Sequence, residues 1–204
     1  LSGVDMNIAI IYGGKSSEHE VSLKSASSII RTIDKKHKLH LIGISKNGAW
    51  YLHGDEERER IIKNENAVLK IKKDETKRVT VIPGGGAKKG LKAGDDFLPT
   101  DAVFAVLHGR FGEDGTIQGL FEMADLPYVG GDVMSTSISM DKEKTKMIWD
   151  YSGLPIVPYI AIKKQDWDDP EKKKAILARA EKDLEYPLFI KPCRAGSSVG
   201  AGMV

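Results

Sequence analysis

The sequence predicts an α/β protein, a doubly wound parallel sheet followed by a smaller α+β unit. Three observations predict it. Apolar runs at residues 7–12, 39–45 and 101–107 have the length of buried strands. A segment with helical apolar spacing separates the first two. Composition then shifts near Asp132, where lysine-bearing helical stretches begin to alternate with further short apolar runs.

The chain's 204 residues suffice for one large domain or for one and a half ordinary ones. With 41% hydrophobic and 29% charged residues it reads as a soluble globular protein. A net charge of +2 argues for neither a nucleic-acid nor a membrane partner. The single cysteine, Cys193, excludes an internal disulfide and fits a reducing compartment. No apolar run approaches the ~18 residues of a membrane-spanning helix, and no signal peptide is visible. Residues 1–5, ahead of Met6, read as an expression scar and are set aside.

The isoleucine-rich run 7–12 reads as a buried strand, broken by Gly13-Gly14. Ser17-Glu18-His19-Glu20 then opens a helix. Ser17 and Glu20 have capping-box spacing, in which each side chain satisfies an orphan N–H of the first turn. Leu23, Ala26, Ile30 and Ile33 continue at helical spacing. With the strand at 39–45 this completes a βαβ unit, whose parallel strands require a crossover. Asn47-Gly48 is a hairpin turn into residues 49–52. The highly charged stretch 55–78 reads as a solvated surface helix with edge strands. A short strand follows at 79–82. Residues 84–96 are rich in glycine and lysine and read as a surface connection, since they lack the Gly-x-x-x-x-Gly-Lys-Ser/Thr spacing of a phosphate loop. The run 101–107 is the most apolar and is expected at the centre of the sheet. The glycine-rich loop 108–115 leads to a helix at 116–124 and a short strand at 126–129, closed by Gly130-Gly131. In the second region, 135–151 reads as one helix carrying Lys142, Lys144 and Lys146, stopped by Gly153-Leu154-Pro155. Residues 156–162 are expected as a strand, 170–184 as an amphipathic helix with Pro170 near its first turn, and 188–191 as a strand that pairs back.

Four constellations could carry chemistry. Glu18 lies at the C-terminal end of the first strand, where open α/β sheets bind ligands. It is either a second capping charge favoured by the helix dipole or a carboxylate that holds a substrate ammonium. His108 ends the apolar run 101–107 and enters a loop whose glycines imply a tight turn or close backbone approach; it is either a hydrogen-bonded core residue or part of a site. Asp114-Gly115 is read as turn and cap in preference to a metal ligand. Lys191 closes an apolar strand, where a charge needs an anionic partner, whereas Lys142 is undistinguished by itself. The stretch Lys191-Pro192-Cys193-Arg194-Ala195-Gly196-Ser197-Ser198-Val199-Gly200 ends an apolar run in a cation and a small-residue loop, a way of presenting backbone N–H groups to a phosphate. Its serines are not read as a hydrolase nucleophile, and no Gly-x-Gly-x-x-Gly follows the first strand, which speaks against a dinucleotide site.

Taken together, four blocks resemble the D-alanine–D-alanine ligase family of the ATP-grasp superfamily. They are the stretch from Gly13 through Leu23, His108 through Gly119, Ser139-Met140-Asp141-Lys142, and Lys191 through Gly200. The resemblance implies that residues 6–130 form a Rossmann-like pre-ATP-grasp domain and 131–204 an incomplete central ATP-grasp lid subdomain. It further implies a cytoplasmic enzyme in which ATP, with Mg²⁺ or Mn²⁺, phosphorylates one D-alanine, and a second D-alanine attacks the acyl phosphate to give the dipeptide of peptidoglycan precursors. By position, Glu18 matches the glutamate that anchors the first ammonium, Ser197 the serine of the same hydrogen-bond network, and His108 the histidine near the first D-alanine. Lys142 and Lys191 match lysines on the ATP phosphates, with Ser198 adding loop contacts.

The same resemblance places the metal ligands, the adenine hinge, a loop tyrosine and a catalytic arginine beyond Val204, so the 204-residue chain alone is expected to be inactive. It suggests a homodimer through the N-terminal domain and neither nucleic acid nor membrane as partner. Arg110 and Cys193 stand where the family has other residues. A D-alanine–D-lactate ligase, a D-alanine–D-serine ligase and a non-catalytic binding module remain as alternatives.

Overall fold

The computed structural model describes residues 4–204, so residues 1–3 of the stretch read as an expression scar lie outside the described residues. The chain divides into two compact units, the first running to Ser137 and the second spanning Ile138–Val204.

The first unit opens with β1 (Asn7–Gly13), α1 (His19–Thr32), β2 (Lys38–Ile44) and β3 (Trp50–His53). It continues through α2 (Asp55–Lys63), a 3₁₀ turn at Glu75–Lys77, β4 (Val79–Val81), α3 (Gly86–Lys89), β5 (Leu91–Ala93), β6 (Asp96–Phe97), β7 (Ala102–Val106) and α4 (Thr116–Met123). Its main sheet has the order β3-β2-β1-β7. β1 pairs parallel with β2 and β7, and β3 returns antiparallel to β2.

The unbroken apolar run of β1 is explained by burial on both faces. Ala9 and Ile11 point into a core with Ile42, Val103 and, from α4, Ile117 and Phe121. Ile10 and Tyr12 point into the opposite core with Leu41 and, from α1, Leu23, Ala26 and Ile30. Both faces of the sheet are therefore covered by helices, as in a doubly wound fold.

Several elements differ from the sequence expectation. The capping box does not form: α1 starts at His19, with Glu18 at the N-cap position and no side-chain cap bond. The Ser16 hydroxyl instead accepts from Glu18 N (3.1 Å), and Glu20 pairs with Lys46 (3.0 Å). The most apolar strand, β7, has a ladder on one side only; its other side makes a single bridge from Val103 to Tyr128, so 126–129 is not a full strand. Apolar content reports coverage of faces, not the number of neighbouring strands. Residues 84–96 are not a plain connection. They fold into α3 and β5 and begin β6, and Leu91 and Ala93 are buried on either side of Lys92. No edge strand forms between α2 and the 3₁₀ turn; irregular chain there buries Ala67 and Leu69.

Within the charged stretch, Glu57 is buried and takes a two-pronged contact from Arg60 (2.6 and 3.0 Å) and a third bond from Lys70 N (3.1 Å). Burial works against its charge, but the Arg60 guanidinium and the Lys70 amide outweigh it and hold the carboxyl below its ordinary range. A depressed folded value adds stability above the unfolded value, and that stability is lost as pH falls through the folded one. Glu57→Gln is therefore expected to be less stable at neutral pH and to show a shallower loss of stability toward about pH 3. Urea midpoints across that range check it; an unchanged acid limb would contradict it.

The second unit contains the C-terminal end of α5 (Val133–Met140), then α6 (Lys142–Tyr151), α7 (Lys164–Trp167), α8 (Pro170–Asp183), β8 (Phe189–Ile190) and β9 (Gly202–Met203). Residues 135–151 are two helices, not one. Asp141 breaks the run by capping α6 through Lys144 N (3.2 Å), and Lys142 N leaves the helix ladder for Cys193 O (3.0 Å). Asp169 caps α8 through Glu171 N and Lys172 N, with Pro170 at the first turn as expected. Residues 156–162 form no ladder among the described residues; the Lys146 ammonium takes the Val157 carbonyl (2.7 Å) and lies over the Tyr159 ring. β8 accordingly pairs not with that segment but antiparallel with β9. No helix among the described residues is long and apolar enough to cross a membrane.

Candidate active site

β1 has one parallel neighbour on each side: the chain crosses first to β2 and later comes back to β7. The crevice beyond the C-terminal ends of β1 and β7 is thus a topological switch point, the place where open α/β sheets bind ligands. The loops after these two strands carry Glu18 and His108.

Ser22, on the buried face of α1, clasps the two strand ends together. Its hydroxyl accepts from Gly13 N (2.7 Å) and donates to Val106 O. Gly13 sits at φ +91°, and a Cβ there would lie 2.3 Å from Ile44 O, so only glycine fits. Ser16 makes the second clasp: its hydroxyl donates to His108 O (2.7 Å) while accepting from Glu18 N. Removing the Ser22 hydroxyl strands a buried N–H. Ser22→Ala is expected to lower the unfolding free energy by about 1–3 kcal/mol. Urea denaturation checks it; no loss would mean that the clasp contributes nothing.

The Glu18 side chain does not cap its own helix. Its carboxylate lies against the backbone of Gly109, where a Cβ would come within 2.5 Å of Oε2. Gly109 has φ +68°, and its N–H donates to Glu113 Oε2 (2.8 Å). The structure thus brings Glu18 and the His108 loop together. The His108 ring sets Nε2 3.2 Å from Ser25 Oγ and Nδ1 3.6 Å from Glu113 Oε1. Asp114 serves the turn and the start of α4, accepting from Phe111 N (2.9 Å) and Thr116 N (3.1 Å). Burial opposes its charge, but these amide bonds hold its carboxyl below the ordinary range. Among the described residues, no three His, Cys, Asp or Glu side chains come together as a metal site.

The second unit holds the other expected residues. Lys142 opens α6 and its ammonium donates to Ala195 O (2.5 Å). Lys191 follows β8, is exposed, and lies 5.8 Å from the centre of the Phe189 ring, so it is not the buried cation that its place after an apolar run suggested. Ser197 and Ser198 both lie in the left-handed region, at φ 47° and 58°, with Gly200 at 71°. Consecutive residues in such turns make the concave backbone surfaces that hold anions.

Ser16, Ser22, Ser25 and Gly109 were not singled out as site residues in the sequence. The signals for them were a serine interrupting the apolar face of α1 and the glycines of the loop after His108; their partners are distant in sequence.

Comparison with known proteins gives a consistent answer. The family model described as D-ala D-ala ligase N-terminus matches residues 7–131, and that described as D-ala D-ala ligase C-terminus matches 148–204. The D-alanine–D-alanine ligase of Treponema denticola is 98% identical over 199 residues, 98% of this chain and 54% of that protein. The ligase of Treponema pallidum is 43% identical, over 98% of this chain and 50% of that one. Among solved structures, the VanG D-Ala:D-Ser ligase of Enterococcus faecalis superposes with a TM-score of 0.78 at 36% identity, covering 98% of this chain and 55% of that one. The D-alanine–D-alanine ligase of Coxiella burnetii does so with a TM-score of 0.78 at 30% identity, covering 98% and 54%. The chain spans about half the length of the curated relatives it matches. The family models and these relatives together cover nearly all of the sequence, and the chain belongs to the D-alanine–D-alanine ligase family.

Proposed function

We propose that this chain carries the first-substrate and phosphate-facing groups of an ATP-dependent ligase that joins two D-alanines. The observation that carries the reading is the Glu18 carboxylate set against Gly109 at the β1–β7 switch point, in a chain of this family. A carboxylate there suits an amino-acid ammonium. His108, fixed by Ser25 and by the Ser16 clasp, faces the same substrate; Ser197 keeps the substrate role that the family resemblance gives it.

In the proposed reaction the D-alanine carboxylate attacks the γ-phosphorus of ATP, and ADP leaves. The amine of the second D-alanine then attacks the carbonyl carbon of the acyl phosphate, and inorganic phosphate leaves as the amide forms. Phosphoryl transfer depends on alignment and charge neutralisation more than on covalent help. Lys142 and Lys191 supply positive charge, and the left-handed turn at Ser197-Ser198 suits a phosphate. Mg²⁺ or Mn²⁺ would add charge neutralisation on the phosphates. A closed glycine-rich loop would keep water from the acyl phosphate. On this reading residues 6–130 and 131–204 are the two functional parts, and the enzyme works in the cytoplasm as a homodimer through the first.

The test is product analysis with the complete gene product that carries this sequence. ATP and D-alanine should give ADP and D-alanyl-D-alanine, with the dipeptide still dominant when D-serine or D-lactate is added. A dominant mixed product would move the enzyme to the D-alanine–D-serine or D-alanine–D-lactate class. Failure of D-alanine to stimulate ADP release, while another carboxylate succeeds, would overturn the ligase reading.

A further inference from the structure

The junction between α5 and α6 grips three consecutive residues of the 191–200 loop. Lys142 N donates to Cys193 O (3.0 Å), the Arg194 Nε donates to Asp141 Oδ2 (2.8 Å), and Lys142 Nζ donates to Ala195 O (2.5 Å). Asp141 is buried, and its other oxygen, Oδ1, caps α6 through Lys144 N. Arg194 is mostly exposed. An ion pair with one solvated end adds little to stability, so its geometry is the better guide to its use. One carboxylate starts the helix that carries Lys142 and at the same time fixes the loop that carries Ser197 and Ser198.

We propose that Asp141 and Arg194 are a positioning pair, fixing the 191–200 loop on the start of α6 so that Lys142 and the Ser197-Ser198 turn meet the same phosphates. Neither residue touches the reacting atoms; both act through Lys142 and the loop. The proposal rests on the ligase reading for its effect on ATP, but the fastening itself can be read without turnover.

Arg194→Met removes the pair without touching the helix cap. Asp141→Asn keeps a carbonyl for Lys144 N but leaves the Arg194 guanidinium without its counter-charge. In the complete gene product, hydrogen–deuterium exchange should quicken in peptides covering 191–201 for both variants, with no further increase in the double variant. The KM for ATP should rise about tenfold, the scale of one lost charge-assisted hydrogen bond. kcat should stay within about threefold and the KM for D-alanine should be unchanged, a split that general destabilisation would not produce. If Asp141→Asn quickens exchange throughout the protein, Arg194→Met decides alone. Unchanged loop exchange in Arg194→Met would overturn the fastening. Faster loop exchange with an unchanged KM for ATP would overturn the positioning role. Faster loop exchange in a protein whose wild type shows no D-alanine-dependent turnover would uphold the fastening and overturn the ligase reading instead.

Discussion

Glu18→Gln is expected to remove nearly all D-alanine-dependent ADP release while leaving the protein folded. The substitution keeps the shape of the side chain and its place beside Gly109 but deletes the charge, which in the proposed function faces the substrate ammonium. Removing one partner of a desolvated charge pair costs about 2–5 kcal/mol, a factor of about 30 to 5,000 in kcat/KM. The backbone bonds of residue 18, in which its N–H donates to Ser16 Oγ and its carbonyl accepts from Ser22 N, do not use the carboxylate, so α1 still starts in place. A steady-state assay together with a urea midpoint separates the two effects. Near-normal kcat/KM with the fold intact would remove Glu18 from its role.

Gly109→Ala is expected to damage the same site from the opposite side. The new methyl group would sit 2.5 Å from Glu18 Oε2, and the contact can be relieved only by moving that carboxylate or the loop. A displacement of about 1 Å at such a group can cost about a hundredfold in rate. The left-handed φ of +68° adds backbone strain of about 1 kcal/mol or somewhat more for a residue with a Cβ. Gly84→Ala separates the two contributions, because Gly84 has the same φ of +68° and a Cβ there meets nothing closer than 4.0 Å. Gly84→Ala should lose comparable stability and keep its kcat/KM, while Gly109→Ala should lose both. Equal activity of the two variants would mean that the position of the Glu18 carboxylate does not matter.

The parts of the fold that local chemistry specifies were legible in the sequence. The βαβ unit follows from an isoleucine run, the helical spacing of Leu23, Ala26 and Ile30, and a second apolar run; the turn at Asn47-Gly48, with Gly48 at φ +92°, follows from its residue types. Pro170 marks the start of α8 for the same reason, while the Asp169 cap was not read from the sequence. What was not legible depends on contacts between distant residues. Ser16 is committed to His108 O, which moves the start of α1 past the register in which Ser17 and Glu20 could cap each other. The helical stretch splits at Asp141 because Lys142 N donates to Cys193 O and Arg194 donates to the Asp141 carboxylate. β5 is hidden by its glycine and lysine neighbours, although Leu91 and Ala93 keep the two-residue period of a half-buried strand. Strand pairing in the second unit failed as an expectation because apolar runs do not name their partners: β8 takes β9, and residues 156–162 are held by Lys146. The candidate site was legible where a topological rule applied, since Glu18 and His108 each follow a strand at the switch point. The glycines of the loop after His108 announced a close backbone approach, found at Gly109, but not that Glu18 makes it; Ser22 was not legible, since its importance lies in what it touches.

In the proposed function the switch-point carboxylate reads the ammonium of the first substrate. A two-by-two comparison tests it most directly: ADP release by wild type and by Glu18→Gln, each with D-alanine and with propionate, which keeps the carboxylate and lacks the amine. Substitution should lower kcat/KM for D-alanine by about 30-fold or more and leave the weak propionate rate nearly unchanged, because the lost charge has no partner on propionate. An equal loss for both compounds, or no loss for D-alanine, would contradict the claim.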